Sequence, residues 1–173
     1  MKDKFVVTYK EIDNPSVEIS KKTYDKDFKK ICTLESTENT LYFLKHLKEF
    51  DKMNHNFYIN VFKGGISPVW EDPSNKNGCN WSLVLKKEVS QRYFEKLLVC
   101  FSTGFFKSFD PTGIVGTNKD NRFKLSIWSR NVPVSSEYAG VIAEIKAALE
   151  IQYNISFQFK SHSRLLDQNV EDV

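Results

Sequence analysis

The chain has 173 residues, 40% of them hydrophobic and 14% aromatic, enough to fill one sizeable core without a disulfide or metal as a staple. A net charge of +3 is too mild for a protein that coats polyanions over its whole surface, although it allows a local basic pocket. No apolar stretch approaches the roughly 18 residues of a membrane span, residues Met1–Val7 lack a signal-peptide core, and Cys32, Cys79 and Cys100 are widely spaced with no CxxC pair. The expectation is a soluble, monomeric single domain over 1–173, ordered over about 5–162, with reduced thiols, in cytoplasm or nucleus.

In chain order, Phe5–Tyr9 is a short alternating strand, Thr8–Lys22 reads as loop, and Asp27–Thr33 is a second strand. Ser36 can cap a helix running to about Phe50, since Thr40, Phe43, Leu44, Leu47 and Phe50 recur at helical spacing. Asn56–Phe62 is a strand, followed by a run rich in Gly, Pro, Asn and Ser, ISPVWEDPSNKNGCNW, and a strand over Trp81–Leu85. Ser90 precedes a second amphipathic stripe of Tyr93, Phe94, Leu97, Leu98 and Phe101. Strands Thr112–Thr117 and Phe123–Trp128 flank a polar turn at Asn118–Asn121. In the second of these Phe123, Leu125 and Ile127 point one way while Lys124, Ser126 and Trp128 point the other, which predicts a core face and a face displaying a cation and an indole. Ser135 or Ser136 precedes a third helix with Tyr138, Val141, Ile142, Ile145 and Leu149 inward, Ile155–Phe159 is a last strand, and Asp167–Val173 reads as a frayed tail. Strands joined by short polar turns predict an antiparallel sheet of about seven to eight strands, and three one-sided helices predict that only one face is covered, an α+β architecture.

The uncovered face is where a ligand would sit. Trp70 and Glu71 stand together in the loop, and an aromatic face beside a fixed carboxylate suits a flat, cationic, hydrogen-bonding ligand. Asp72 reads as a loop or cap residue and Trp81 as core. Cys79, His46, His55 and His162 read as structural or surface groups, because no pair has metal-ligand spacing and no nucleophile motif accompanies them. No metal and no cofactor are implied. An enzyme using Glu71 and Asp72 as a metal or acid–base pair is the remote alternative, and it lacks a third ligand.

With the spacing FKGGISPVWEDPSNKNGCNW, EKLLVCF and GIVGTNKDNRFKLSIWS, the sequence resembles the translation initiation factor 4E family over roughly Phe5–His162. That family binds the 7-methylguanosine cap of messenger RNA and recruits it for translation; its repressive paralogues bind the cap and withhold it. The resemblance implies a strongly curved antiparallel sheet with three helices on the convex face and the cap on the concave one. It implies that Trp70 stacks on the guanine, Glu71 accepts from guanine N1–H and the N2 amino group, and Trp128 contacts the N7-methyl group. Tyr24 falls where the family has its first stacking tryptophan. Lys119 and Lys124 match phosphate-binding positions, and Arg122 and Arg164 are further candidates. Asn80 and Asn121 stand where many members have cations.

For the convex face the resemblance implies a partner, an initiation scaffold or repressor protein carrying a Tyr-x-x-x-x-Leu-hydrophobic helix. Thr37, Leu41, Phe94, Glu95 and Leu98 match that surface, and the Phe94–Leu98 pair and Leu41 are expected to supply its exposed hydrophobes, with Leu41 replacing a tryptophan usual in the family.

Overall fold

The computed structural model describes residues 3–12 and 28–163. Its strands are β1 (Phe5–Ile12), β2 (Lys29–Leu34), β3 (Asn56–Lys63), β4 (Cys79–Lys86), β5 (Pro111–Lys119), β6 (Arg122–Ser129) and β7 (Gln158–Ser161). Its helices are α1 (Thr37–His46), α2 (Lys87–Thr103) and α3 (Tyr138–Leu149). The strands form one curved, open antiparallel sheet in the order β2-β1-β3-β5-β6-β4-β7.

Each helix boundary has a local cause. Ser36 is extended (φ −143°) and its hydroxyl accepts from the Asn39 N–H at 3.2 Å, so α1 begins where the capping residue stands. Helix α2 stops at Gly104, whose φ of 70° lets its N–H reach back to the carbonyls of Cys100 and Phe101. Its start differs from expectation: α2 begins at Lys87, and Ser90 lies inside it, buried, its hydroxyl donating to the Lys87 carbonyl at 2.7 Å instead of capping. The hairpin between β5 and β6 closes on Asp120 and Asn121 alone, with φ of 51° and 59°, the left-handed conformation that Asn and Asp tolerate in a two-residue turn.

Three strand expectations are corrected. Thr8–Ile12 is strand, not loop, because β1 is held on both sides, by β2 and by all of β3 from Phe5↔Lys63 to Ile12↔Asn56. Strand β7 begins at Gln158, so Ile155 precedes it, and Ile155 and Phe157 pack on the core from the connection. Trp128 displays nothing to solvent; it is 6% exposed and belongs to a second apolar cluster on the helix-free face.

The main core lies between the sheet and its helices. Phe57, Ile59, Val61, Trp81, Leu83, Ile114, Phe123, Leu125 and Ile127 point into it from the strands, and Phe94, Leu97, Leu98 and Phe101 from α2. Phe50 is its hinge, with ring centroids 5.4 Å from Phe57, 5.5 Å from Phe94 and 5.1 Å from Phe123. All three cysteines are unpaired, and burial pushes the Cys79 thiol up to about 12.

Candidate functional site

Strand register decides which side chains share the helix-free face, because parity alternates and neighbours align across the sheet. The first row runs Phe62, Gly113, Trp128, Asn80 and Lys160 across β3, β5, β6, β4 and β7. The next holds Asn60, Val115, Ser126, Ser82 and Gln158, and the third Tyr58, Thr117, Lys124 and Val84. Gly113 is required by the first row: a Cβ there would lie 2.4 Å from the Phe62 ring, which covers the strand and meets Trp128 edge-on at 5.4 Å. In the second row the buried Asn60 Oδ1 and Ser82 Oγ have no partner among the described residues, leaving a polar floor that water or a ligand can satisfy.

The loop 64–78 brings Trp70 to this floor, with Glu71 next to it in the chain. Trp70 is half-buried, packed with Ile66 against Phe62, Val115 and Trp128, while Glu71 is exposed and makes no hydrogen bond or ion pair among the described residues. The loop context led one to expect an exposed indole; Trp70 instead has one side packed on the cluster, while Glu71 stays exposed.

The loop keeps its shape through two neighbours. Asp72 closes it locally, accepting from the Ser67 N–H and the Ser74 N–H at 2.8 Å each, the cap role expected of it. Asn75, which sequence reasoning did not single out, is fully buried beneath it: its amide donates to the Ser67 and Val69 carbonyls at 2.9 Å each, and its Oδ1 accepts from Thr112 Oγ1 at 2.8 Å. The Asn75 carbonyl in turn accepts from His162 Nδ1 at 2.8 Å. That bond assigns the proton to Nδ1, so Nε2 accepts from the Asn80 amide at 3.2 Å. The His162 ring also lies 4.5 Å from Trp128. Burial holds its pKa below the ordinary 6.5, against the raising effect of the Asn75 carbonyl. One neutral histidine therefore ties together the loop, Trp128 and Asn80, the structural role expected of it.

Of the expected phosphate-binding cations, Lys124 sits half-buried in the third row, with its pKa lowered by burial and then by the charge of Lys160. Lys119 and Arg122 are exposed, paired across the hairpin end. Tyr24 and Arg164 lie outside the described residues. Lys160 was missed because it is a single lysine in a strand end; only the pairing Asn80↔Lys160 reveals it as the neighbour of the position where a cation is replaced by asparagine.

On the helix-covered side the structure corrects the expectation. Phe94 and Leu98 are 0% exposed, pointing from α2 into the core, and so cannot form a surface groove. Glu95 is held by a hydrogen bond from Gln91 at 2.8 Å. Thr37 and Leu41 do reach the surface, Leu41 being 58% exposed, and line a cleft of about 670 Å³ with Val99, Ser102 and Thr103. Val99 is an apolar residue off the core stripe of α2, the one signal that could have found this edge. Among the described residues no group of His, Cys, Asp and Glu is placed to hold a metal ion, and no helix is long and apolar enough to cross a membrane.

A family model described as eukaryotic initiation factor 4E matches residues 1–172. The chain is 31% identical over 148 residues to the eukaryotic translation initiation factor NCBP of Triticum aestivum, covering 85% of this chain and 64% of that protein. It is 28% identical over 134 residues to eukaryotic translation initiation factor 4E-4 of Caenorhabditis elegans, covering 77% and 63%. The chain thus spans just under two thirds of the length of these relatives. Its fold superposes on C. elegans eIF4E-3 in complex with the 4E-binding protein Mextli, with a TM-score of 0.82, 18% identity and coverage of 95% and 94%. It also superposes on Ascaris suum eIF4E-3 in complex with m7G cap, at 0.78, 20% identity and coverage of 94% and 90%. Matched by that model over nearly its whole length and sharing the fold of these structures, the chain belongs to the eukaryotic initiation factor 4E family.

Proposed function

We propose that this chain binds the 7-methylguanosine cap of messenger RNA on its helix-free face and delivers the message for translation initiation. The observation that carries the reading is the pair Trp70 and Glu71: a half-buried indole seated on the Trp128 cluster, next in the chain to an exposed carboxylate with no partner among the described residues, in a loop braced by Asn75 and Asp72. Family membership supports it, since the family consists of cap-binding factors and not of enzymes. Solved relatives of the same fold hold m7G and m2,2,7G caps.

In this reading N7-methylation makes guanine a delocalised cation, and Trp70 gains about 0.5 to 2 kcal/mol from holding it over its face. Tyr24 supplies the second ring by resemblance. Glu71 accepts from N1–H and the N2 amino group, and a carboxylate does this better than a neutral acceptor because the hydrogen bonds are charge-assisted. Trp128, braced by His162, contacts the N7-methyl group by resemblance. Lys124 and Lys160 answer the triphosphate, with Arg164 a further cation by resemblance. Their mutual repulsion is relieved when an anion sits between them. Asn80 adds no charge, and its amide is already given to His162.

Titrating tryptophan fluorescence with 7-methyl-GTP and with GTP tests the reading. The two ligands offer the same hydrogen-bonding edge to Glu71 but differ in ring charge, so discrimination should exceed about tenfold, or about 1.4 kcal/mol. Equal affinities would overturn the stacking site. Incubation with magnesium should return the nucleotide unchanged; conversion would point to an enzyme.

The cleft between α1 and α2 favours a second proposal, that a helical Tyr-x-x-x-x-Leu-hydrophobic segment of a scaffold or repressor protein docks on Thr37, Leu41 and Val99. The solved relative holding Mextli supports a protein partner. A peptide of that pattern should bind weakly, and more tightly to Leu41→Trp. Binding undetectable to both would overturn it.

A further inference from the structure

Five serines are buried among the described residues, and they divide by what their hydroxyls do. Ser90, Ser102 and Ser129 donate to the carbonyls of Lys87, Val99 and Asn131 at 2.7, 3.1 and 2.9 Å. Ser82 of β4 and Ser126 of β6, 0% and 6% exposed, make no side-chain hydrogen bond among the described residues. The two are register partners, side by side in the second row of the helix-free face. Their neighbours there do not help: Val115 on the β5 side is apolar, and Gln158 on the β7 side is exposed. A buried hydroxyl without a partner destabilises a fold, and alanine would fill either position without that cost. Folding offers no reason for such a pair, whereas a ligand carrying hydroxyls does.

Position narrows the ligand. Along β6 the residues of the helix-free face run Trp128, Ser126, Lys124, about 7 Å apart at roughly 3.3 Å per residue. A nucleotide runs base, sugar, phosphate in the same order, so a guanine at Trp70 and Trp128 with its triphosphate at Lys124 brings the sugar over Ser126. We infer that Ser126 and Ser82 form a binding site for the ribose hydroxyls of the cap nucleotide, Ser126 meeting the sugar and Ser82 positioning Ser126. The inference rests on the cap-binding reading for the placement of base and phosphate. A serine hydroxyl donates once and accepts twice, so Ser126 can give its proton to the sugar while accepting from Ser82. Ser82 is closed off in the free protein, but rotation about its Cα–Cβ bond turns its Oγ toward a register partner whose Cβ lies about 4.5 to 5.5 Å away. A phosphate is the wrong ligand here, because Asn60, Val115 and Gln158 complete the row and none is a cation.

The test pairs 7-methyl-GTP with its 2′,3′-dideoxy analogue, which keeps the methylated base and the triphosphate and lacks only the sugar hydroxyls. The parent should bind the first about tenfold more tightly. Ser126→Ala should bind the two equally, and Ser82→Ala should reduce the preference to about threefold, because Ser126 loses its support. Without ligand both variants should melt no lower than the parent, since the fold satisfies neither hydroxyl. A lower melting temperature would show a structural partner and overturn the inference, as would a parent with no preference or a Ser126→Ala variant that keeps it. Full preference in Ser82→Ala would remove Ser82 from the site. Comparing 7-methyl-GTP with GTP on the parent separates this from the cap reading. If methylation is preferred and the sugar hydroxyls are not, the cap reading stands and the serine site falls. If methylation makes no difference while the hydroxyls do, and Ser126→Ala abolishes that effect, the cap reading falls and the serines remain a ribose site.

Discussion

The two faces of the sheet respond differently to the same kind of expectation. On the helix-free face the expected ligand residues Trp70, Trp128 and Lys124 lie on one side of the sheet, with Trp70 and Trp128 braced through His162 and the unexpected Asn75. On the helix-covered face the five expected partner residues divide: Thr37 and Leu41 line a cleft, while Phe94 and Leu98 are core and Glu95 is tied to Gln91. The difference is geometric. A loop can present an indole and a carboxylate without spending core surface, but a helix has one apolar stripe, and residues that recur at i, i+3 and i+4 are consumed by the sheet beneath. The stripe that identifies α2 in the sequence contains Phe94 and Leu98, so they could not also be groove residues.

Phe94→Ala gives the largest break in this comparison. Truncating a fully buried phenylalanine should cost about 3 to 5 kcal/mol in urea or thermal unfolding. A variant of parental stability that lost peptide binding would show Phe94 at the surface after all.

Glu71→Ala probes the other face. It should cost about 1.5 to 3 kcal/mol in affinity for 7-methyl-GTP, the range for hydrogen bonds to a charged group, while stability stays within about 0.5 kcal/mol because the side chain is exposed. Undiminished affinity would mean that this carboxylate does not read the guanine.

His162→Gln tests the bracing. At neutral pH the loss should be about 1 kcal/mol, since hydrogen bonds to Asn75 and Asn80 are disturbed. The pH dependence has a definite sign. The folded-state pKa is below 6.5, so on acidification the unfolded chain takes up the proton first; the stabilisation is complete above 6.5 and is lost as pH falls toward the lower folded value. The parent should therefore lose stability relative to the variant between pH 7 and pH 5. Parallel profiles would remove His162 from that role.

Leu41→Ala is the smallest effect. At 58% exposure it should change stability by no more than about 0.5 kcal/mol, in contrast to Phe94→Ala on the neighbouring helix. A cost of several kcal/mol would place Leu41 in the core and close the cleft to a partner.

Local sequence alone determined the alternation of β6, the stripes of α2 and α3, the Ser36 cap, a polar turn between β5 and β6 and the adjacency of Trp70 to Glu71, because each depends on side-chain spacing or on the conformational tastes of a few consecutive residues, whereas α1 stops at His46, short of the expected Phe50, and the turn narrows to Asp120 and Asn121. Tertiary structure decided the rest. Strand order places β7 beside β4, and only that sets Lys160 next to Asn80 and His162 against Trp128. Asn75 reads as an ordinary loop residue until Thr112 and His162 fold against it. Trp128 alternates as an exposed residue yet is buried, since Phe62, Val115 and Trp70 arrive from other parts of the chain. The pattern of a segment tells which of its faces differ. What lies across from each face depends on contacts between residues far apart in sequence, whose pairing is set by the closing of the whole sheet and the filling of one shared core.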